Sequence, residues 1–225
     1  MTDTAIALQT ETTSSIVRWV EQLEDLRQIS APETDAVVWQ RELPLGVSRW
    51  LNQMQPGRLP SARMVLKPAD IETCLADVFA RLGHDPSEEL NWLASDIRRM
   101  GQVVSALTKT SWLRLRLDPV SNNACARFHI DFVTARLICT YRGPGTEFGE
   151  SDGAAPPSEI ETVPTGMPIL LKGKLWPQSR PVSLQHRSPP IAGTGTTRLL
   201  MVLEGVDASE IGQSPYDEIY DPKAG

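Results

Sequence analysis

The sequence predicts an α+β fold in which a helix-rich N-terminal part leads into an all-β barrel. Three observations carry this reading. Apolar residues recur at helical spacing up to about residue 110. From Trp112 the period changes to two, and six strand-like runs fall between there and residue 204. Helices first and strands afterwards argue for a helical layer packed on a sheet. The expected divisions are 1–110 for the helical region, 111–204 for the barrel and 205–225 for an acidic, loose tail.

The first dozen residues are rich in Thr and poor in core formers, so a frayed end is expected. Ile16, Trp19, Val20, Leu23 and Leu26 follow helical spacing, with Ser14 or Ser15 as N-cap. The run AVVWQR at 36–41 reads as a short strand, 45–54 as a short helix and 63–66 as strand or loop. Pro68 opens a helix to about Leu82, which Gly83 ends. The clearest helix starts near Pro86. Ser87 precedes Glu88 and Glu89, whose charges suit a helix N-terminus, and Leu90, Leu93, Ile97, Met100, Val104 and Leu107 form one apolar stripe.

The run WLRLRL at 112–117 alternates as a strand does. Further strand-like runs lie at 126–132, 134–141, 167–175, 182–186 and 198–203. A full eight-stranded barrel would draw its remaining strands from 36–66. Between them, 143–166 is rich in Gly, Pro, Ser and acids, and reads as a long exposed loop over a site.

Composition excludes several classes. With 225 residues, 40% apolar and 22% charged, this is an ordinary soluble chain. Its net charge of -6 weighs against nucleic acid, which is held by clustered Lys and Arg. No apolar run approaches the ~20 residues that span a bilayer. The start lacks a basic segment followed by an apolar one, so no secretory signal is expected. Cys74, Cys125 and Cys139 are odd in number and widely spaced, as reduced thiols in a cytoplasm would be.

The chemistry concentrates in the histidines, of which there are three. In Phe128-His129-Ile130-Asp131-Phe132, residues two apart share one face of a strand, so His129 and Asp131 project together. Phe128, Ile130 and Phe132 would then face the stripe of the long helix. His186 ends a later strand and offers a second imidazole. Two His and one carboxylate leave open positions on a cation, the facial arrangement of non-haem Fe(II) oxygenases. The other reading is a hydrogen-bonded His129–Asp131 pair in the core, with His186 capping a turn.

HxD, a long loop and a distal His followed by Arg198 resemble the double-stranded β-helix of iron- and 2-oxoglutarate-dependent oxygenases. The resemblance implies a cupin or jelly-roll-like barrel, a metal on His129, Asp131 and His186, and Arg198 pairing with the distal carboxylate of 2-oxoglutarate. Tyr141, Arg136 and Thr140, which follow the HxD run, either line the pocket as cosubstrate contacts or belong to a strand with solvated arginines and a tyrosine anchored in the core. More narrowly, FHIDFVTARLICTYRGPGTEF with HRSPP and RLLMVLE resembles the bacterial domain-of-unknown-function family 1826 (DUF1826), over most of the chain beyond residue 35. That likeness adds a contextual link to zinc homeostasis, hence a second expectation: a non-catalytic cupin-like protein holding Zn²⁺ on the same ligands. Either form would take a small-molecule or peptide partner, and the helical layer could serve as a homodimer surface.

Overall fold

Residues 16–151, 153, 155–214 and 217–222 are described by the structure, a computed structural model. The N-terminal part holds β1 (Val17–Val20), β2 (Ala36–Trp39), α1 (Leu45–Gln53), β3 (Ala62–Leu66), α2 (Ile71–Arg81) and α3 (Glu88–Thr108). There follow β4 (Trp112–Val120), β5 (Ala135–Arg142), β6 (Glu147–Glu150), β7 (Glu161–Thr162) and β8 (Pro168–Lys172). The last strands are β9 (Leu184–Arg187), β10 (Arg198–Val206) and β11 (Glu218–Ile219).

Alternation along these strands decides the layers. One sheet has the order β1-β2-β8-β5-β10-β4-β3-β11, and a second has the order β7-β6-β9. Leu113, Leu115, Leu117, Leu137, Cys139, Tyr141, Leu199, Met201 and Leu203 turn to one face of the large sheet and pack with the helices. Ile138, Leu200 and Val202 turn to the other and pack with Phe148 and Leu184 of the small sheet. Successive side chains therefore feed two cores, as a sheet covered on both faces requires.

The N-terminal segment corrects the expected helix. Val17–Val20 is a strand paired in parallel with Ala36–Trp39, and Leu23–Ser30 is a run of 3₁₀ turns. Val and Trp favour the pleated surface, and the buried Leu23, Leu26 and Ile29 recur every three residues, the 3₁₀ period. The proposed N-cap at Ser14 or Ser15 and the frayed first dozen residues lie outside the described residues. β2, α1, β3 and the helix ending at Gly83 fall where the sequence put them, although 68–70 is a 3₁₀ turn ahead of α2. Ser87 caps α3, its Oγ accepting from the Leu90 N–H at 3.2 Å.

β2 and β3 join the sheet of the later strands, as a barrel drawing strands from 36–66 requires, and β1 joins them. Four other expectations change. The 143–166 segment is not one open loop: it contributes β6 and β7, with Phe148 buried. Gly145 permits this crossing, since a Cβ there would stand 1.7 Å from the Val163 carbonyl oxygen. The 126–132 run forms no regular strand, and His129 makes a single bridge to His186. The α3 stripe covers the large sheet rather than that run, leaving Phe132 exposed. After residue 204, β10 continues to Val206, and β11 pairs in parallel with Met64 and Val65. Among the described residues, no helix is long and apolar enough to cross a membrane.

Candidate metal centre

His129 and His186 face each other across a two-way backbone bridge. The N–H of His129 donates to the His186 carbonyl at 3.1 Å, and the reverse bond is 3.0 Å. Directly opposed residues point the same way, and the two rings sit 4.6 Å apart between centroids. Phe148 of β6 pairs with His186 from the other side. Asp131, two residues on from His129, brings its carboxylate to both rings. His129 Nε2 lies 3.4 Å from Oδ1, and His186 Nε2 lies 3.2 Å from Oδ2. One ligand atom from each residue falls within 4.8 Å of the others.

The donor set fits a divalent cation. His129 Nδ1 is 2.8 Å from the Arg127 carbonyl oxygen; donating there leaves the Nε2 lone pair for a metal. Asp131 Oδ2 is buried and has no hydrogen-bond partner, because His186 Nε2 stands near it without hydrogen-bond alignment. An orphaned buried carboxylate oxygen between two imidazoles is an acceptor that a divalent cation would satisfy. Burial alone would raise the Asp131 carboxyl, but the imidazoles and Arg136 outweigh it and hold it far below the carboxylate range. His129 is raised, chiefly by Asp131, whereas burial lowers His186.

Both histidines line a cleft with Arg116, Ile138, Thr146 and Ser188. Arg198 lies close behind this wall and is fully buried. Its Nε donates to the Pro144 carbonyl at 2.7 Å, Nη1 to Ser188 Oγ at 3.0 Å and Nη2 to Thr140 Oγ1 at 3.0 Å. All three partners are neutral oxygens. Among the described residues, no carboxylate is hydrogen-bonded to it, and burial, offset only in part by the charge of nearby Glu147, lowers its guanidinium to about 10. Gly143 allows this packing: it has φ +78°, and a Cβ would stand 3.0 Å from Arg198 Cγ.

The other expected contacts are placed differently. Tyr141 points to the helix face of the sheet, and its hydroxyl donates to Asp96 Oδ2 at 2.6 Å. There it joins Arg41, whose Nη2 is 2.8 Å from the same carboxylate oxygen. Tyr141 therefore sits in the core, away from the imidazole pair. Arg136 lines the cleft, but its guanidinium is spent on Asp131 and Glu204. Thr140 holds Arg198, and Arg187 pairs with Glu147 at 2.6 Å. His84 stands apart, with Nε2 2.9 Å from the Arg58 carbonyl oxygen.

Sequence reasoning missed Ser188, the Pro144 carbonyl and Glu204. It also missed Asp35, fully buried, which accepts from the Ser183 N–H at 2.8 Å and from Arg180 Nη2 at 2.6 Å, and so anchors the start of the His186 strand.

The family model described as "Protein of unknown function (DUF1826)" matches residues 20–204. No curated protein matches the chain. Among solved structures, it is similar to dioxygenase for auxin oxidation 1 from Arabidopsis thaliana, solved as a complex with 2-oxoglutarate. There the TM-score is 0.54 at 10% identity, covering 85% of this chain and 92% of that one. The rice dioxygenase for auxin oxidation gives a TM-score of 0.49 at 14% identity, over 86% and 84%. The Arabidopsis likeness shows the fold: the two facing sheets are a double-stranded β-helix, with the helices packed on its large sheet.

Proposed function

The chain belongs to the DUF1826 family, and we propose that it is an Fe(II)- and 2-oxoglutarate-dependent oxygenase. His129 Nε2, an Asp131 oxygen and His186 would hold the metal as a facial triad. Fe(II) and 2-oxoglutarate, when bound, supply the O₂ and two-electron chemistry. The chain supplies binding, orientation and a dry wall.

The observation that carries this reading is Arg198. A guanidinium kept fully buried gains little net stability from three neutral oxygens, and its charge has no hydrogen-bonded carboxylate to answer it, so it is a receptor for an arriving anion. A planar fork grips a carboxylate with two bonds, and the distal carboxylate of 2-oxoglutarate is the anion this fold suggests. Thr140, Ser188 and the Pro144 carbonyl set the fork's plane. Ile138, Leu200 and Val202 make the adjoining wall apolar, keeping water away.

A zinc-holding protein without redox chemistry would use the same three ligands with water in a fourth position. It would leave the buried Arg198 charge with no carboxylate bonded to it, which is why the oxygenase reading is preferred. The test is calorimetric titration of 2-oxoglutarate into Mn(II)-loaded protein, followed by succinate release under Fe(II), ascorbate and O₂. Binding abolished by chelator supports the proposal. Folded, metal-loaded protein that takes up no 2-oxoglutarate overturns it.

A further inference from the structure

We propose that Arg136 and Glu204 are positioning residues that decide which Asp131 oxygen is presented to the metal. The inference rests on reading His129, Asp131 and His186 as metal ligands.

The argument starts from strand register. Glu204 of β10 stands opposite Arg136 of β5 on one side and Arg114 of β4 on the other. One buried carboxylate therefore lies between two guanidiniums. Arg136 Nε donates to Glu204 Oε2 at 3.0 Å, while its Nη1 reaches forward to Asp131 Oδ1. Arg114 binds the remaining Glu204 oxygen, and its Nε is 2.6 Å from Asp217 Oδ2. Arg63 Nε closes the row 3.0 Å from Asp217 Oδ1. Charges thus alternate without a break from the β3–β4 side of the sheet to the candidate centre.

The two oxygens of Asp131 end up unlike. Oδ1 is tied to Arg136 and lies 3.4 Å from His129 Nε2, while Oδ2, 3.2 Å from His186 Nε2, is buried without a hydrogen-bond partner. A carboxylate with one oxygen held by a guanidinium has one left for a cation, so coordination is through Oδ2 alone and positions stay open for other ligands. Glu204 matters because a long Arg side chain has many rotamers and loses entropy when fixed. Bonds from both Nε and Nη2 to Glu204 fix the fork before the metal arrives. Such outer partners of metal ligands typically change affinity by about 10–100-fold when removed.

The test uses Co(II), with affinity read by calorimetry and coordination by its visible spectrum. E204Q and R136Q should each weaken Co(II) binding about 10–100-fold and alter the spectrum. R136K, which keeps charge but not the fork, should recover part of the affinity. At saturating Co(II), 2-oxoglutarate affinity in E204Q should match wild type. D217N, two links further out, should leave Co(II) affinity unchanged; an equal loss there would mean a general charge effect and overturn the proposal. Wild-type binding with unchanged affinity and spectrum in E204Q, R136Q and R136K overturns it too. Folded wild-type protein that binds no Co(II) overturns the metal reading itself, and this inference with it.

Discussion

Replacing Arg198 with Met removes the buried guanidinium while keeping an unbranched side chain in its place. Burial takes that group from 12.5 to about 10. At about 1.36 kcal/mol per pH unit, this disfavours the cation in the folded chain by about 3 kcal/mol. A base whose folded value lies below its unfolded one is penalised while protonated. The penalty is therefore present in full at neutral pH and is relieved only as pH rises past about 10. Against it stand three hydrogen bonds, worth about 1 kcal/mol each. The two contributions nearly cancel. R198M without ligand should melt within about 4 °C of wild type, since each kcal/mol moves a chain of this size by about 2–4 °C. The ligand tells the other half. Two charge-assisted bonds to a carboxylate contribute about 3 kcal/mol or more, so 2-oxoglutarate affinity should fall at least about a hundredfold. Thermal unfolding with and without 2-oxoglutarate, beside calorimetry on Mn(II)-loaded protein, reads both. At a hundred times Kd the ligand should stabilise wild type by about 2.7 kcal/mol and R198M by nothing. An R198M protein that melts 10 °C lower without ligand, or binds 2-oxoglutarate as wild type does, refutes the reasoning.

Three further outcomes follow from the same geometry. H129A, D131A or H186A should each reduce bound Mn(II) or Fe(II) from one per chain toward none, measured by elemental analysis after desalting. D96A strands Arg41 in the core, costing about 3–5 kcal/mol and about 10 °C in Tm, with Y141F milder, in calorimetric melts. Burial would raise the Asp217 carboxyl, but hydrogen bonds from Arg114 and Arg63 outweigh it and lower it below 3.8. Its pairing therefore stabilises the fold above about pH 4 and is lost as pH falls through the lowered value. D217N should flatten the acid limb of a stability–pH curve measured by urea unfolding.

The centre was legible because its residue types are scarce and their order along the chain is distinctive. With three histidines available, HxD and a distal His-to-Arg spacing identified the residues that meet. The reason given for their meeting was incomplete. Residues 126–132 do not form a strand, and the bridge to His186, a long-range contact, orients His129. Tyr141 and Arg136 show what alternation alone can and cannot settle. Leu137, Cys139 and Tyr141 share the helix face, so a period-two reading carried through 134–141 separates Tyr141 from Arg136. The same count along 198–204 places Glu204 on Arg198's side, a signal that was present and unused. The N-terminal strand was hidden because Ile16, Trp19, Val20, Leu23 and Leu26 fit helical spacing. What overrides it is the exposed edge of β2, which no local window contains.

The large sheet begins and ends with strands laid alongside in parallel, β1 against β2 and β11 against β3. These are the first and last strands among the described residues, so each flank is shielded by an outermost stretch of chain. Trimming either stretch would bare rows of unsatisfied amide and carbonyl groups, along Ala36–Trp39 on one side and at Met64 and Val65 on the other. Such borders recruit neighbouring chains by lateral pairing. A shortened version made for crystallisation should therefore self-associate even though His129, Asp131 and His186 are untouched.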